Sequence, residues 1–322
     1  MGFFLRSPGR LVPNMEAYTY SLRLRKPLHV PGVDPLTSRG GILLHDPETG
    51  GWGDAAPLPG FSEESLADVR EAILQKNWDA NDLPSVRFAV SCSKREFAPP
   101  VNDVLCNGLW IPASESVEEV LHRTADWSNL TLKVKPGREP DIDAMKAFAQ
   151  VRSDVHFRVD GNRQWTIDQT LNIMKELPQG FIEYMEEPLI NCEDYEALWS
   201  RAPVPIALDE TLLEPGGREL AESQNVVAFV LKPTLLGGEE DVAVWNERSH
   251  RLNKKLIWSS CFESGVGLWN LARLATGSVP AGLDTGSWFD SDLVNPRAVP
   301  AKGMLSAPHT LEISSAFLHS LT

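Results

Sequence analysis

Five charged residues recur at a near-constant interval along this sequence: Lys135, Asp160, Glu186, Asp209 and Lys232, separated by 25, 26, 23 and 23 residues. Each lies at or near the end of a short apolar stretch, in LTLKVK, HFRVDGN, FIEYMEE, PIALDE and VAFVLK. Lys133 and Lys135 stand two apart, a spacing that on a strand sends both side chains out of one face. Repulsion between the two ammonium groups, with partial burial, is expected to lower one pKa and leave a base near neutral pH. Taken alone, a KxK pair also suits a solvated edge strand. Asp160 and Asn162 repeat the two-residue spacing on the next stretch.

Asp160, Glu186 and Asp209 brought together would repel by several kcal/mol in a partly buried site, so something positive must lie among them. A hard divalent ion meets that need. All-oxygen ligation suits Mg²⁺, and Mn²⁺ is an alternative, whereas zinc would draw His or Cys, and neither is patterned at these strand ends. Singly, each acid could cap a helix or sit in a loop; three on consecutive stretches point to a metal.

The interval is that of a strand–helix unit, and polar residues repeated at the C-terminal ends of successive strands converge on the mouth of a barrel. Eight strands are expected: VLCNGLW, LTLKVK, HFRVDGN, FIEYMEE, PIALDE, VAFVLK, LIWSSC and GLDTG. Helical stretches lie between them, among them EPDIDAMKAFAQVR, TIDQTLNIMKEL and EEDVAVWNERSH. This alternation implies parallel pairing and an α/β fold of (β/α)7β TIM type.

Before it, AYTYSLRLR and GGILLHD are strand-like and are separated by KPLHVPGVDPLTSRGG, whose prolines and glycines suggest a long loop. A helix from Glu63 towards Leu74, capped by Ser62, and another near residues 84 to 93 complete a small α+β domain. The expected division is 1–102 for this cap, 103–300 for the catalytic barrel, and 301–322 for a C-terminal tail that packs back on the cap.

The 322 residues allow a sizeable core, and 42% apolar with 23% charged residues is ordinary for a soluble globular protein. A formal charge of −14 with no Lys/Arg cluster argues against nucleic-acid binding. No apolar run reaches the length of a membrane span, and the opening MGFFLRSPGRLVPN meets Pro8 and Gly9 too early for a leader. Cys92, Cys106, Cys192 and Cys261 are far apart without a CxxC pair and read as free thiols in a reducing cytoplasm.

In this order and at these spacings, KVK, DGN, EEP, DE and LKP resemble the enolase superfamily over residues 103 to 290. A lysine on the second strand and another on the sixth resemble its muconate-lactonising-enzyme subgroup. The resemblance implies Asp160, Glu186 and Asp209 as metal ligands, with Glu187 not carried over, and Asn162, Glu210 and Lys133 in support. Lys135 matches the general base and Lys232 the lysine across the substrate. Three further segments, WGDAAPLPGFSEES, SSCFESGVGL and GLDTGSWF, resemble the o-succinylbenzoate synthases. There PLPGFS and the loop from His29 to Arg39 belong to a cap that closes over the substrate. The other two segments line the pocket, which implies Ser259, Ser260 and Gly282 as substrate contacts. Asp54 stands where a glutamate is usual.

The implied reaction is dehydration of a small carboxylate substrate, 2-succinyl-6-hydroxy-2,4-cyclohexadiene-1-carboxylate, to o-succinylbenzoate for menaquinone biosynthesis. Lys135 would remove the α-proton, Mg²⁺ would stabilise the enediolate, and Lys232 would stay cationic on the opposite face. An N-acylamino-acid racemase or dipeptide epimerase would use the same two lysines. Such an enzyme is expected to show an acid for a peptide amine near the eighth strand, where Asp284 lies. A noncatalytic carboxylate-binding barrel is the more remote alternative.

Overall fold

A computed structural model describes residues 15–78, 83–275 and 277–321. The opening segment through Asn14, where no leader is expected, lies outside the described residues. The cap begins with three antiparallel strands, β1 (Glu16–Leu28), β2 (Leu36–Asp46) and β3 (Gly51–Ala55). Tyr20, Leu22 and Leu24 alternate inward along β1 and seat the sheet on the barrel. The long loop expected between the first two strands is shorter, at residues 29 to 35. Leu28 pairs with Leu36 across a register shift, and Arg39 and the glycines after it lie within the ladder. Strand β3 is an addition to the two strands expected here, and its glycines have a packing cause. A Cβ on Gly51 or Gly53 would strike the carbonyls of Ser93 and Ala89, so the helix over this edge packs directly on bare backbone.

Helix α1 (Leu66–Leu74) starts later than expected and is capped by Ser65 in a reciprocal box with Asp68. Ser62 instead accepts from the Leu58 amide at 2.9 Å and so closes the PLPGFS turn. Helix α2 (Pro84–Ser93) opens on its proline, where a missing N–H costs nothing.

The expected first barrel strand is divided into β4 (Val104–Leu105) and β5 (Gly108–Trp110). There follow α3 (Val117–Arg123), β6 (Thr131–Val134), α4 (Ile142–Val151), β7 (His156–Asp160), α5 (Ile167–Glu176) and β8 (Ile182–Glu186). The second half holds α6 (Tyr195–Trp199), β9 (Ile206–Leu208), α7 (Gly217–Leu220), β10 (Val226–Leu231), α8 (Pro233–Leu236), α9 (Glu239–Leu252), β11 (Lys255–Trp258) and α10 (Gly265–Leu274). Strands β5 to β11 pair in parallel in sequence order. GLDTG supplies the eighth stave only as bridges, Gly282 to Ser259 and Ala281 to Cys106, before a 3₁₀ turn from Asp284 to Trp288. These bridges join the two ends of the sheet, giving a (β/α)7β barrel.

Beyond it, β12 (Val294–Asn295) pairs with β14 (Glu312–Ile313), and β13 (Met304–Leu305) with β4. The last strand, β15 (His319–Ser320), pairs with β1, so the tail becomes the fourth strand of the cap sheet. Among the described residues no helix is long and apolar enough to cross a membrane.

Candidate active site

The C-terminal ends of β6 to β10 deliver the charged residues to one place. Lys133 is buried, with Nζ 2.6 Å from Glu186 Oε1 and 2.9 Å from Asp160 Oδ2. Lys135, two residues on, reaches the same Asp160 oxygen at 3.2 Å and Asn162 Oδ1 at 3.2 Å. Lys232 contacts Asp209 and lies 3.1 Å from Glu210 Oε1. All eight charged and amide residues read from the sequence are therefore gathered at the mouth. Lys133, Asp160 and Glu186 are delivered by the strands themselves, and the turns just after the strand ends bring Lys135, Asn162, Asp209, Glu210 and Lys232 to the same mouth.

The electrostatics correct one expectation. Burial would lower the Lys133 pKa, but the charges of Asp160 and Glu186 outweigh it and hold the ammonium above its usual range. Repulsion within the KxK pair is thus overridden at Lys133 by the carboxylates on the neighbouring strands. Burial likewise opposes ionisation of Asp160, yet Lys133, Lys135 and Lys232 together hold its carboxyl well below normal. Lys232 is buried, which lowers its pKa, but Asp209 and Glu210 raise it further, so it stays a cation.

The positive charge expected among the three acids is supplied here by lysine. Among the described residues no three His, Cys, Asp or Glu side chains stand grouped to hold a metal ion as they are. The donor set nevertheless fits a hard cation. Glu186 Oε2 is buried without a hydrogen-bond partner, an acceptor that calls for a cation, and Asp160 stands opposite Glu186 on the adjacent strand, with Lys133 holding one oxygen of each.

Lys135, Asn162 and Lys232 line a cavity of about 330 Å³ whose roof comes from the cap, through His29, Pro31 and Phe61. The Phe61 ring centroid lies 5.9 Å from Lys135 Nζ and 5.4 Å from Lys232 Nζ, within cation–π range of both. A narrow inner cleft continues past the lysines to Ser259, Ser260 and Gly282. Ser260 Oγ is 2.6 Å from Thr285 Oγ1, and a Cβ on Gly282 would come within 2.7 Å of Ser259 Oγ.

Several contributors went unrecognised in the sequence. Arg39 is not in a loop but buried in β2, where it donates to the carbonyls of Ala56, Pro57, Cys261 and Phe262 and bolts the cap to the rim. Phe61 lay in a segment marked by resemblance, yet nothing in its spacing shows that the ring faces both lysines. Asp284 is already engaged, since Oδ2 accepts from the Leu109 amide at 3.0 Å and from Arg123 at 3.3 Å.

Residues 115–311 match the family described as enolase C-terminal domain-like, and residues 13–97 match the MenC N-terminal domain. The chain is 34% identical over 268 residues to the o-succinylbenzoate synthase of Escherichia coli O81 (strain ED1a), across 76% of this chain and 81% of that protein. The o-succinylbenzoate synthase of Escherichia fergusonii matches at the same identity and coverage. Among solved structures, the N-succinyl Arg/Lys racemase from Bacillus cereus ATCC 14579 superposes with a TM-score of 0.76 at 16% identity, covering 95% of this chain and 98% of that one. The dipeptide epimerase from Enterococcus faecalis V583, complexed with Mg and a dipeptide, gives 0.74 at 16% identity over 92% and 97%. At such identities these two structures share the fold alone.

Proposed function

The chain belongs to the o-succinylbenzoate synthases of the enolase superfamily and is a lyase of that type, and we propose how its own residues carry the reaction. The observation that carries the reading is the placement of Lys135 and Lys232. They follow β6 and β10, four staves apart around an eight-stave barrel, and so face one cavity from opposite sides.

In this reading Lys135 takes the proton α to the carboxylate of 2-succinyl-6-hydroxy-2,4-cyclohexadiene-1-carboxylate. The same group then gives a proton to the departing hydroxyl on that face, which leaves as water, and the ring becomes aromatic in o-succinylbenzoate. Lys232, held cationic by Asp209 and Glu210, stands against the other face as fixed charge. Asp160, Glu186 and Asp209 would hold a divalent cation, Mg²⁺ or Mn²⁺, which supplies charge for the second negative charge that develops on the carboxylate. Lys133, Asn162 and Glu210 orient these groups, and Ser259, Ser260 and Gly282 shape the inner wall of the pocket.

We assign residues 1–102 to the cap, 103–300 to the catalytic barrel and 301–322 to the tail that completes the cap sheet. Four unpaired cysteines favour a reducing, cytoplasmic setting. The epimerase alternative needs an acid free to meet a peptide amine, and Asp284 is engaged by Arg123 and the Leu109 amide instead. The deciding experiment is a dehydration assay with the cyclohexadiene substrate beside a racemisation screen with N-succinyl amino acids. Racemisation without dehydration would overturn the proposal.

A further inference from the structure

Glu187, the second acid of EEP, is fully buried and turned into the wall between β8 and β9, away from the cavity. Its Oε1 accepts from the amides of Asp209 at 2.7 Å and Thr211 at 2.9 Å. Its Oε2 accepts from the hydroxyls of Thr211 at 2.8 Å and Tyr195 at 3.2 Å. The main chain is engaged as well, since Glu187 N donates to Ala207 O and its carbonyl accepts from Arg163 N at 2.7 Å. One residue thus ties together the segments that follow β7, β8 and β9, which carry Asp160, Glu186 and Asp209. Its φ of 37° is a conformation that a residue other than glycine seldom adopts, and these contacts over-determine it.

We propose that Glu187 is a positioning residue for the cation site, fixing the backbone at Asp209 so that the three acids can converge on one ion. The inference rests on the metal site proposed above. Four donors already occupy its carboxylate, so it acts through Asp209 and does not ligate. Partners of this kind typically change metal affinity by about 10- to 100-fold when removed.

The test is Mn²⁺ binding to substrate-free protein, followed by electron paramagnetic resonance. Glu187→Met should weaken binding by about 10- to 100-fold. Glu187→Gln should recover most of it, because its carbonyl oxygen can accept from both amides while the two hydroxyls rotate to meet its NH₂. Thr211→Val keeps the amide and loses the hydroxyl, so it should fall between the parent and Glu187→Met. It also serves as the readout should Glu187→Met not fold. Folded Glu187→Met, or in its absence Thr211→Val, binding Mn²⁺ as tightly as the parent would overturn the role, even with a lowered melting temperature. A parent that binds no Mn²⁺ yet dehydrates the substrate would overturn the metal reading itself, and this inference with it.

Discussion

Ser264 donates both its amide and its hydroxyl to Asp54 Oδ2, at 2.9 and 2.7 Å, which joins the start of α10 in the barrel to β3 of the cap. Tyr20 donates to the same carboxylate from β1 at 2.9 Å. Asp54 is therefore a buried hub between two cap strands and the segment that runs on from Ser259 and Ser260. Although shorter than the usual glutamate, it meets three donors at normal distances.

That hub should be sensitive to pH. Burial lifts the Asp54 carboxyl from an ordinary 3.8 to about 6, against the hydrogen bonds from Ser264 and Tyr20 that pull it down. Between those values the folded protein binds more protons than the unfolded chain. The stabilising contribution is full below about pH 4 and is lost as pH rises through about 6, an effect on the order of 3 kcal/mol. Asn resembles the protonated acid, so Asp54→Asn should flatten this part of the profile. Urea unfolding of both proteins from pH 4 to 7 checks it, and identical slopes would contradict it.

Removal of one ligand charge should be far more costly to turnover than to folding. Glu186→Gln, Asp160→Asn and Asp209→Asn are each expected to lower kcat/KM by roughly 10²- to 10⁴-fold, the several kcal/mol that charge stabilisation supplies. EDTA should reproduce the loss in the parent, and added Mg²⁺ should reverse it. Glu186→Gln protein with parental turnover and metal affinity would contradict the assigned site.

The roof of the cavity gives a third prediction. His29 and Pro31 line it from the connection between β1 and β2, whereas Arg39 lies in β2 and anchors the cap through four carbonyls. Shortening the connection within residues 32–34 should raise KM and slow turnover with stability largely kept. Arg39→Met should instead destabilise the protein by about 1 to 3 kcal/mol, because buried carbonyls lose their donors. Steady-state kinetics and thermal melts on the two variants separate these effects; the same pattern in both would refute the division of roles.

The charged residues at the mouth were legible because the strand period converts a sequence interval into a place, as the contacts of Lys133 with Asp160 and Glu186 illustrate. What could not be read is set by contacts between distant segments. Nothing in the spacing of Gly51 and Gly53 shows that α2 lies on them. Ser62 looks like the helix cap, and only the fold of PLPGFS, which takes its hydroxyl, leaves the role to Ser65. Glu187 differs from Glu186 by one position, which on a strand end means the opposite side of the wall. Phe61 meets Lys135 and Lys232 only through the docking of cap on barrel.

Lys135 and Lys232 should fail in different ways, and the difference separates dehydration from epimerisation. In a one-base elimination Lys135 makes every proton transfer, so Lys135→Ala should abolish dehydration and also the exchange of the substrate α-proton with solvent deuterium. In the proposed mechanism Lys232, clamped by Asp209 and Glu210, contributes only charge. Arginine there keeps the cation but is too weak an acid and base to exchange a proton, although its planar fork fits the site less well. Lys232→Arg should therefore retain more dehydration than Lys232→Ala, with deuterium exchange preserved in both. An epimerase, which needs a proton from each face, should lose racemisation equally in the two variants. The assignment fails if the parent epimerises N-acyl amino acids efficiently, shows no dehydration of the cyclohexadiene substrate, and loses its activity alike in Lys232→Arg and Lys232→Ala.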